Sequence, residues 1–357
     1  MKLFKSINAF LFSALMALLV SLVFDFSPAI TLITILAISL LAPFPKGVAM
    51  MAVTREIWER DIVGNLFKNN EFAKRAFNAD IYVLEGKVVH IPVAGNPSAI
   101  NKNVTVFPVP AVKRVDQDII YGIDTYYSVP RHVERIEQYE LAYDKRQSVL
   151  GEDQQAIIDA SMDGMLYRWA PGAGNVVLTL GAATAATLPG ATGNRKIFTK
   201  ACFGTIKLAM DKAKIPNAGR VALLTADHYQ QLLDGFSDVE KTNFHQLADI
   251  TNGIIGKYLG IDIMMRSSVQ RYRKVATVWT PVDEQDPAFG ASDQTGDAAA
   301  TLFYYDQSVE RAMGTVQMFD GANRPEYYGD IYSFILRMGG RIRRSTGVFA
   351  VVEDITP

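Results

Sequence analysis

The longest uninterrupted helical period in the chain runs from Ser148 to Trp169. Ala156, Ile157, Ala160, Gly164 and Tyr167 fall on one stripe, and Ile158, Met162, Met165, Leu166 and Trp169 on a second beside it. Glu152, Asp159 and Asp163 are left for a narrow polar face. Acidic residues in its first turns and Arg168 in its last suit the helix dipole, and Pro171-Gly172 stops it. Two stripes predict a helix with something packed on each.

Upstream, Thr54 to Ala79 has a helical pattern, with Thr54 as N-cap and Ile57, Trp58, Ile62, Leu66 and Phe67 as its apolar members. A second short helix is expected from Glu71 to Phe77. From Ile81 the period changes to two. Val83, Val88, His90, Pro92 and Ala94 begin a strand region, Gly95-Asn96-Pro97 turns, Val104, Val106, Pro108 and Pro110 resume the alternation, and Asp118 to Tyr127 is rich in β-formers. Prolines cannot donate to a strand ladder, so this long hairpin reads as edge-like. A monomer has little with which to keep such a flap ordered; a neighbouring subunit would supply it.

Downstream of the long helix, the small-residue segment Gly172 to Lys196 reads as an exposed, mobile loop. Helices are expected over Ile197–Lys214, Asp227–Leu233 (capped by Thr225 or Asp227) and Phe244–Tyr258, and strands over Arg220–Leu224, Ile261–Met265 and Lys274–Thr280. Together they make an α/β unit. Asp283 to Asp297 is an acidic loop and Ala298–Tyr305 a strand. Asp306–Ala312 reads as a capped short helix, and Tyr328–Met338 and Arg341–Glu353 as two strands joined at Gly339-Gly340. Arg341 and Arg343 share one strand face, and the plain reading is a solvated face.

Composition narrows the function classes. The 357 residues carry 36 basic and 37 acidic side chains, scattered, which argues against an extended nucleic-acid-binding face. The single cysteine, Cys202, rules out an internal disulfide framework and a multi-cysteine metal site, and its apolar helical setting marks a buried structural thiol. His90, His132, His228 and His245 lack the spacing of a histidine metal centre. Gly190-x-x-Gly193-x-x-Lys196 lacks the Gly-Lys-Ser/Thr of a phosphate loop, and Gly172-x-Gly174 precedes a β-rich run rather than a helix. The acidic loop lacks calcium-loop spacing. No nucleophile, base and oxyanion set can be assembled. Catalytic, cofactor and metal residues are therefore expected to be absent.

Residues 1 to 50 differ from the rest. Ala9–Phe24 and Ala29–Ala42 are uncharged runs, each short of the ~20 residues a membrane span needs. Three readings stay open: a membrane hairpin through residues 7–43, a signal peptide and leader without a clean cleavage site, or translation beginning at Met50 or Met51.

The order of parts resembles the major capsid proteins of tailed bacteriophages, with their HK97-like fold, over residues 52 to 355. RVALLTADHYQQLLD (220–234) is similar to that family's strand and Leu-rich helix, TLFYYDQSVERAMG (301–314) to its late strand and short helix, and YYGDIYSFILRMGGRIRRSTGVFAVVE (327–353) to its closing strands. The resemblance implies an α+β chain: the leader 1–50, an N-terminal arm 51–80, an E-loop β-hairpin 81–128, a peripheral (P) domain 129–171 with the spine helix, an axial (A) domain 172–325, and strands 326–357 returning to the P domain. It implies a structural protein without enzyme activity or cofactor. Pentamers and hexamers would form an icosahedral shell around double-stranded DNA, assembled in the bacterial cytoplasm, with scaffold and portal proteins as further partners. Trp58, Val104, Val106, Arg341 and Arg343 are the intersubunit contacts expected on this basis. The leader departs from the family pattern, and no Lys and Asn pair suggests a covalent crosslink. The alternatives are an encapsulin-type compartment shell and, from another class, a membrane-anchored binding or enzyme domain.

Overall fold

The computed structural model describes residues 70–84, 87–93, 102–103, 117–134, 145–289 and 294–356, with Ile62 and Asn65. Trp58, Val104, Val106 and the leader lie outside them. The chain opens with helix α1 (Glu71–Lys74), β1 (Phe77–Asn78), a 3-10 turn (Asp80–Tyr82), β2 (Val83–Leu84), β3 (Val88–Val93), β4 (Gln117–Gly122), β5 (Asp124–Tyr127) and β6 (Arg131–Glu134). The helix expected to reach Phe77 is thus a single turn. Phe77 and Asn78 pair instead with a later strand, in parallel register with Glu310 and Arg311. Asn78 and Asp80 also turn their side chains onto backbone amides, Asn78 onto that of Asp80 and Asp80 onto that of Met313. Such bonds offer the chain an alternative to helix.

Helix α2 (Lys145–Trp169) is the long helix. It lies on a sheet ordered β1-β16-β17-β5, with β6 also on β17, where β16 is Val309–Arg324 and β17 is Gly329–Ile342. Its second stripe, Ile158, Met162, Met165, Leu166 and Trp169, is fully buried. Its first stripe is mixed: Ile157 and Gly164 are buried, Ala160 and Tyr167 half-buried, and Ala156 exposed.

The rest forms an eight-stranded sheet with helices against it and a small separate sheet ordered β19-β9-β8. In order come β7 (Val176–Leu178), β8 (Ala183–Ala185), β9 (Asn194–Lys196), α3 (Lys200–Lys212), β10 (Arg220–Thr225), α4 (Ala226–Asp234), α5 (Asp238–Gln246), β11 (Gly256–Tyr258), β12 (Ile261–Arg266), β13 (Gln270–Val275), β14 (Val278–Val282) and β15 (Asp297–Tyr305). After β17 the chain ends in β18 (Val348–Val352) and β19 (Ile355–Thr356). The strand order is β11-β12-β10-β15-β13-β14, with β18 on β15 and β7 on β18. Every residue of β10 is buried, as expected of a central strand covered on both faces. Phe198, Phe203, Ile206 and Met210 pack there with Leu224, Ile263, Phe303 and Val351, and Cys202 is buried among them. Thr225 caps α4 by accepting from the His228 amide, and Ser237 and Glu240 form a capping box on α5.

Several sequence expectations are corrected here. Helix is found in α5 but not on to Tyr258, because Asp249 and Ile254 close a backbone bridge and Gly256–Tyr258 joins β12. The strand expected over Lys274–Thr280 is the hairpin β13–β14, turning at Ala276 with φ +54°. Gly172–Lys196 is not a bare loop; it holds β7, β8 and β9. Asp306–Ser308 is one 3-10 turn, and residues 309–312 enter β16. Strand β17 runs straight through Gly339-Gly340. A Cβ on Gly340 would lie 2.7 Å from both Trp169 Nε1 and the Glu310 carbonyl, and one on Gly339 would lie 2.9 Å from Ile123. The two glycines therefore permit close approach of helix and hairpin rather than a turn. Strand pairing also places 309–324 with the α2 sheet and 348–352 with the eight-stranded sheet.

Candidate functional site

The α2 sheet, the β2-β3-β4 sheet and the 70–80 segment meet at one carboxylate. Glu310 on β16 is fully buried. Its Oε1 accepts from Arg341 Nε at 2.6 Å, and its Oε2 lies 3.4 Å from Arg343 Nε. Its backbone carbonyl accepts from the Trp169 indole at 2.9 Å. The Arg341 guanidinium covers the Tyr121 ring at 5.3 Å, and that of Arg343 covers Phe77 at 4.0 Å. Burial, and next the nearby Glu310 charge, push the Tyr121 phenol well above its ordinary pKa. Arg341 and Arg343 are thus brought together within the chain, on a partner sequence reasoning missed. The available signal was two arginines at strand spacing with no acid beside them.

The segment 70–80 also straps the α2 sheet to the eight-stranded sheet. Phe72 meets Trp169 edge to face at 6.0 Å, and its carbonyl accepts from the Tyr304 hydroxyl. Arg75 reaches Asp262 at 3.1 Å and Asp306 at 3.3 Å. Burial pulls the Arg75 pKa down, but the two carboxylates outweigh it and the net shift is upward. A second ionic link joins Arg266 of β12 to Asp163 of α2.

Among the described residues, two surfaces bear on what could pack against this chain. On the three-stranded sheet, Val89 and Ile91 turn inward onto Phe77, Tyr82, Tyr121 and Ala312. Pairing of His90 with Ile120 and of Leu84 with Val88 puts the alternate residues outward, where Ile120 is 59% and Leu84 54% exposed. Beside α2, a groove of about 710 Å³ lies between Ala156, Ala160 and Gly164 and the edge strand β5, with Val129, Asp153 and Asp283 also lining it. Small residues on the first stripe make that groove: a Cβ on Gly164 would collide with the Tyr126 hydroxyl.

One buried constellation has catalytic residue types. His228 Nδ1 lies 2.7 Å from Thr301 Oγ1 and Nε2 3.2 Å from Glu353 Oε1, with the ring stacked on Phe198. Both members of the His–Glu pair are sealed from solvent, so no substrate reaches them. Among the described residues no group of three His, Cys, Asp or Glu could hold a metal ion, and no helix is long and apolar enough to cross a membrane.

No family model matches the chain, and no curated protein does. Solved structures do. The capsid protein of the cyanophage P-SCSP1u is similar over 78% of this chain and 86% of its own, with 16% identity and a TM-score of 0.52. That of Ralstonia phage GP4 is similar over 79% and 88%, with 13% identity and a TM-score of 0.51. The capsid of the native GTA particle matches over 79% and 89%, with 8% identity and a TM-score of 0.51. The chain is a mixed α+β protein with the fold that these capsid subunits share.

Proposed function

We propose that this chain is the major capsid protein of a tailed bacteriophage or prophage, a structural subunit that assembles with its own copies into pentamers and hexamers of an icosahedral shell around double-stranded DNA. The observation that carries the reading is the shared fold, which spans 79% of this chain and 88–89% of the GP4 and GTA capsid subunits. The outward apolar face at Leu84 and Ile120 supports it, since a monomer gains nothing by presenting it to water. In this reading β2–β4 are the base of the E-loop, α2 and its sheet the P domain, and the eight-stranded sheet the A domain. Trp58, Val104 and Val106 contact neighbouring subunits. Arg341 and Arg343 serve that contact from beneath, Arg341 by covering Tyr121 at the hairpin base and Arg343 by covering Phe77. The groove beside α2, lined by Asp124, Asp153 and Asp283 with Arg131 as its one basic group among the described residues, suits a neighbour's hairpin tip, because residues 94–115 carry Lys102, Lys113 and Arg114 and no acid. Scaffold and portal proteins complete the partners, and assembly takes place in the bacterial cytoplasm.

Negative-stain electron microscopy and sedimentation of the full chain, beside a chain beginning at Met51, test this. Closed shells or capsomer rings are expected. A monodisperse monomer from both chains would overturn the reading.

A further inference from the structure

The chain contains one Asn-Gly dipeptide, Asn252-Gly253. It sits in a tight exposed turn between α5 and β11. The turn is closed by two backbone bonds, Asp249 N–H to the Ile254 carbonyl at 2.8 Å and Ile254 N–H to the Asp249 carbonyl at 2.9 Å. Glycine is required at 253 on two counts. Its φ is +70°, and a Cβ there would lie 2.8 Å from the Glu71 Cβ. The fold therefore imposes on an exposed asparagine the one neighbour that leaves its carboxamide unshielded along the chain.

We propose that Asn252-Gly253 is a self-modification site whose conversion loosens the 70–75 strap. The Gly253 amide nitrogen gives its proton to water and bonds to Asn252 Cγ. The Cγ–Nδ2 bond breaks, and the nitrogen takes up a proton from solvent and leaves as ammonia. Water then opens the succinimide at either carbonyl, giving aspartate or isoaspartate. The sum is one water consumed and one ammonia released, with no redox partner.

The consequence follows from two contacts. Asn252 Nδ2 donates to Asp249 Oδ2 at 2.7 Å, so conversion replaces a donor with a second carboxylate at hydrogen-bond distance from the first. Isoaspartate also lengthens the backbone inside a turn already closed at both ends. Gly253 abuts Glu71, which holds Lys74 at 2.7 Å, so the strain arrives at the strap that carries Phe72 and Arg75.

The test is to age the purified full chain at mildly alkaline pH and digest it with trypsin. The peptide Thr242–Lys257 holds both Asn252 and Asn243, which precedes Phe244 and serves as an internal control. Amide-to-acid conversion is expected at Asn252, about tenfold or more faster than at Asn243, because glycine alone lacks the shielding Cβ. Isoaspartate labelling should appear in the same peptide, and N252Q should abolish it. Amide hydrogen exchange on the aged protein should quicken at Ala73 and Arg75 relative to the fresh protein. Equal rates at the two asparagines in the native chain, with Asn252 faster only in urea, would overturn the site. Conversion without faster exchange at 73–75 would overturn its link to the strap.

Discussion

Arg341 Nε lies 2.6 Å from Glu310 Oε1, and the two residues are direct cross-strand partners in the β16–β17 ladder. Cross-strand register thus delivers the cation to a carboxylate with no solvent exposure. Removing one member of a buried pair leaves the other uncompensated, at a cost of about 3–5 kcal/mol. Arg343 at 3.4 Å takes part of the load when Arg341 is lost, so R341L should cost less than E310L. Urea denaturation of the two variants and of the R341L/R343L double variant measures the order.

If the chain assembles as proposed, Ile120 and Leu84 should separate folding from assembly. I120D and L84D place charge on a largely exposed face whose nearest cross-strand neighbours are His90 and Val88, so unfolding free energy from urea titration should fall by no more than about 1 kcal/mol. Sedimentation should show assembly reduced or lost. Unchanged assembly in both variants would remove this face from the contact.

Three carboxylates are held above their ordinary range, chiefly by burial: Asp163 beside Arg266, Asp306 beside Arg75, and Glu284 beside Arg271. Each binds a proton more readily folded than unfolded, so stability falls as pH rises from the ordinary values, 3.8 for the aspartates and 4.5 for the glutamate, through their raised folded values. Asp211 and Glu240 are shifted down by hydrogen bonds, first from Lys207 and from the Ser237 backbone respectively, and work in the opposite sense. Denaturation midpoints from about pH 4 to about pH 7 should show a flatter decline in E284Q than in the unaltered chain.

His228 and Glu353 tie α4 to the end of β18. H228L leaves the buried Glu353 side chain with the Ala299 amide at 3.3 Å, and should cost about 1–3 kcal/mol, the penalty for a buried polar group that has lost a partner. H228L/E353L should recover much of that loss in a double-variant cycle. Strict additivity would show that the two side chains do not interact.

Much of this architecture was legible in the residues. The period of α2, the apolar run of β10 and the alternation of β3 each reflect burial that the side chains themselves dictate. The misreadings arose where tertiary pairing overrode a local signal. Asp306 is a good helix N-cap by type, but β16 continues because β17 pairs with it over most of its length. Gly339-Gly340 looked like a turn because glycine marks both turns and close approaches, and only the position of Trp169 distinguishes them. The Glu310 site was invisible for a similar reason. Glu310 falls in the stretch that reads as a short helix, and a lone acid there does not announce that two arginines some thirty residues on share its carboxylate (31 positions separate Arg341 from it).

Strands β16 and β17 also set a mechanical scale. A 14-residue strand is about 45 Å long, and β17 is held along most of that length, by β5 over Ile335–Met338 and by β6 over Gly329–Tyr332, while Tyr327 and Tyr328 beyond it are exposed. The pair is a braced beam rather than a free lever, and its two irregular points are the register shifts between Met313 and Val316 and between Gly321 and Arg324 on the side away from β5 and β6. A load applied at the exposed tip is therefore shared with β6 and then β5 before it reaches Glu310 and Arg341.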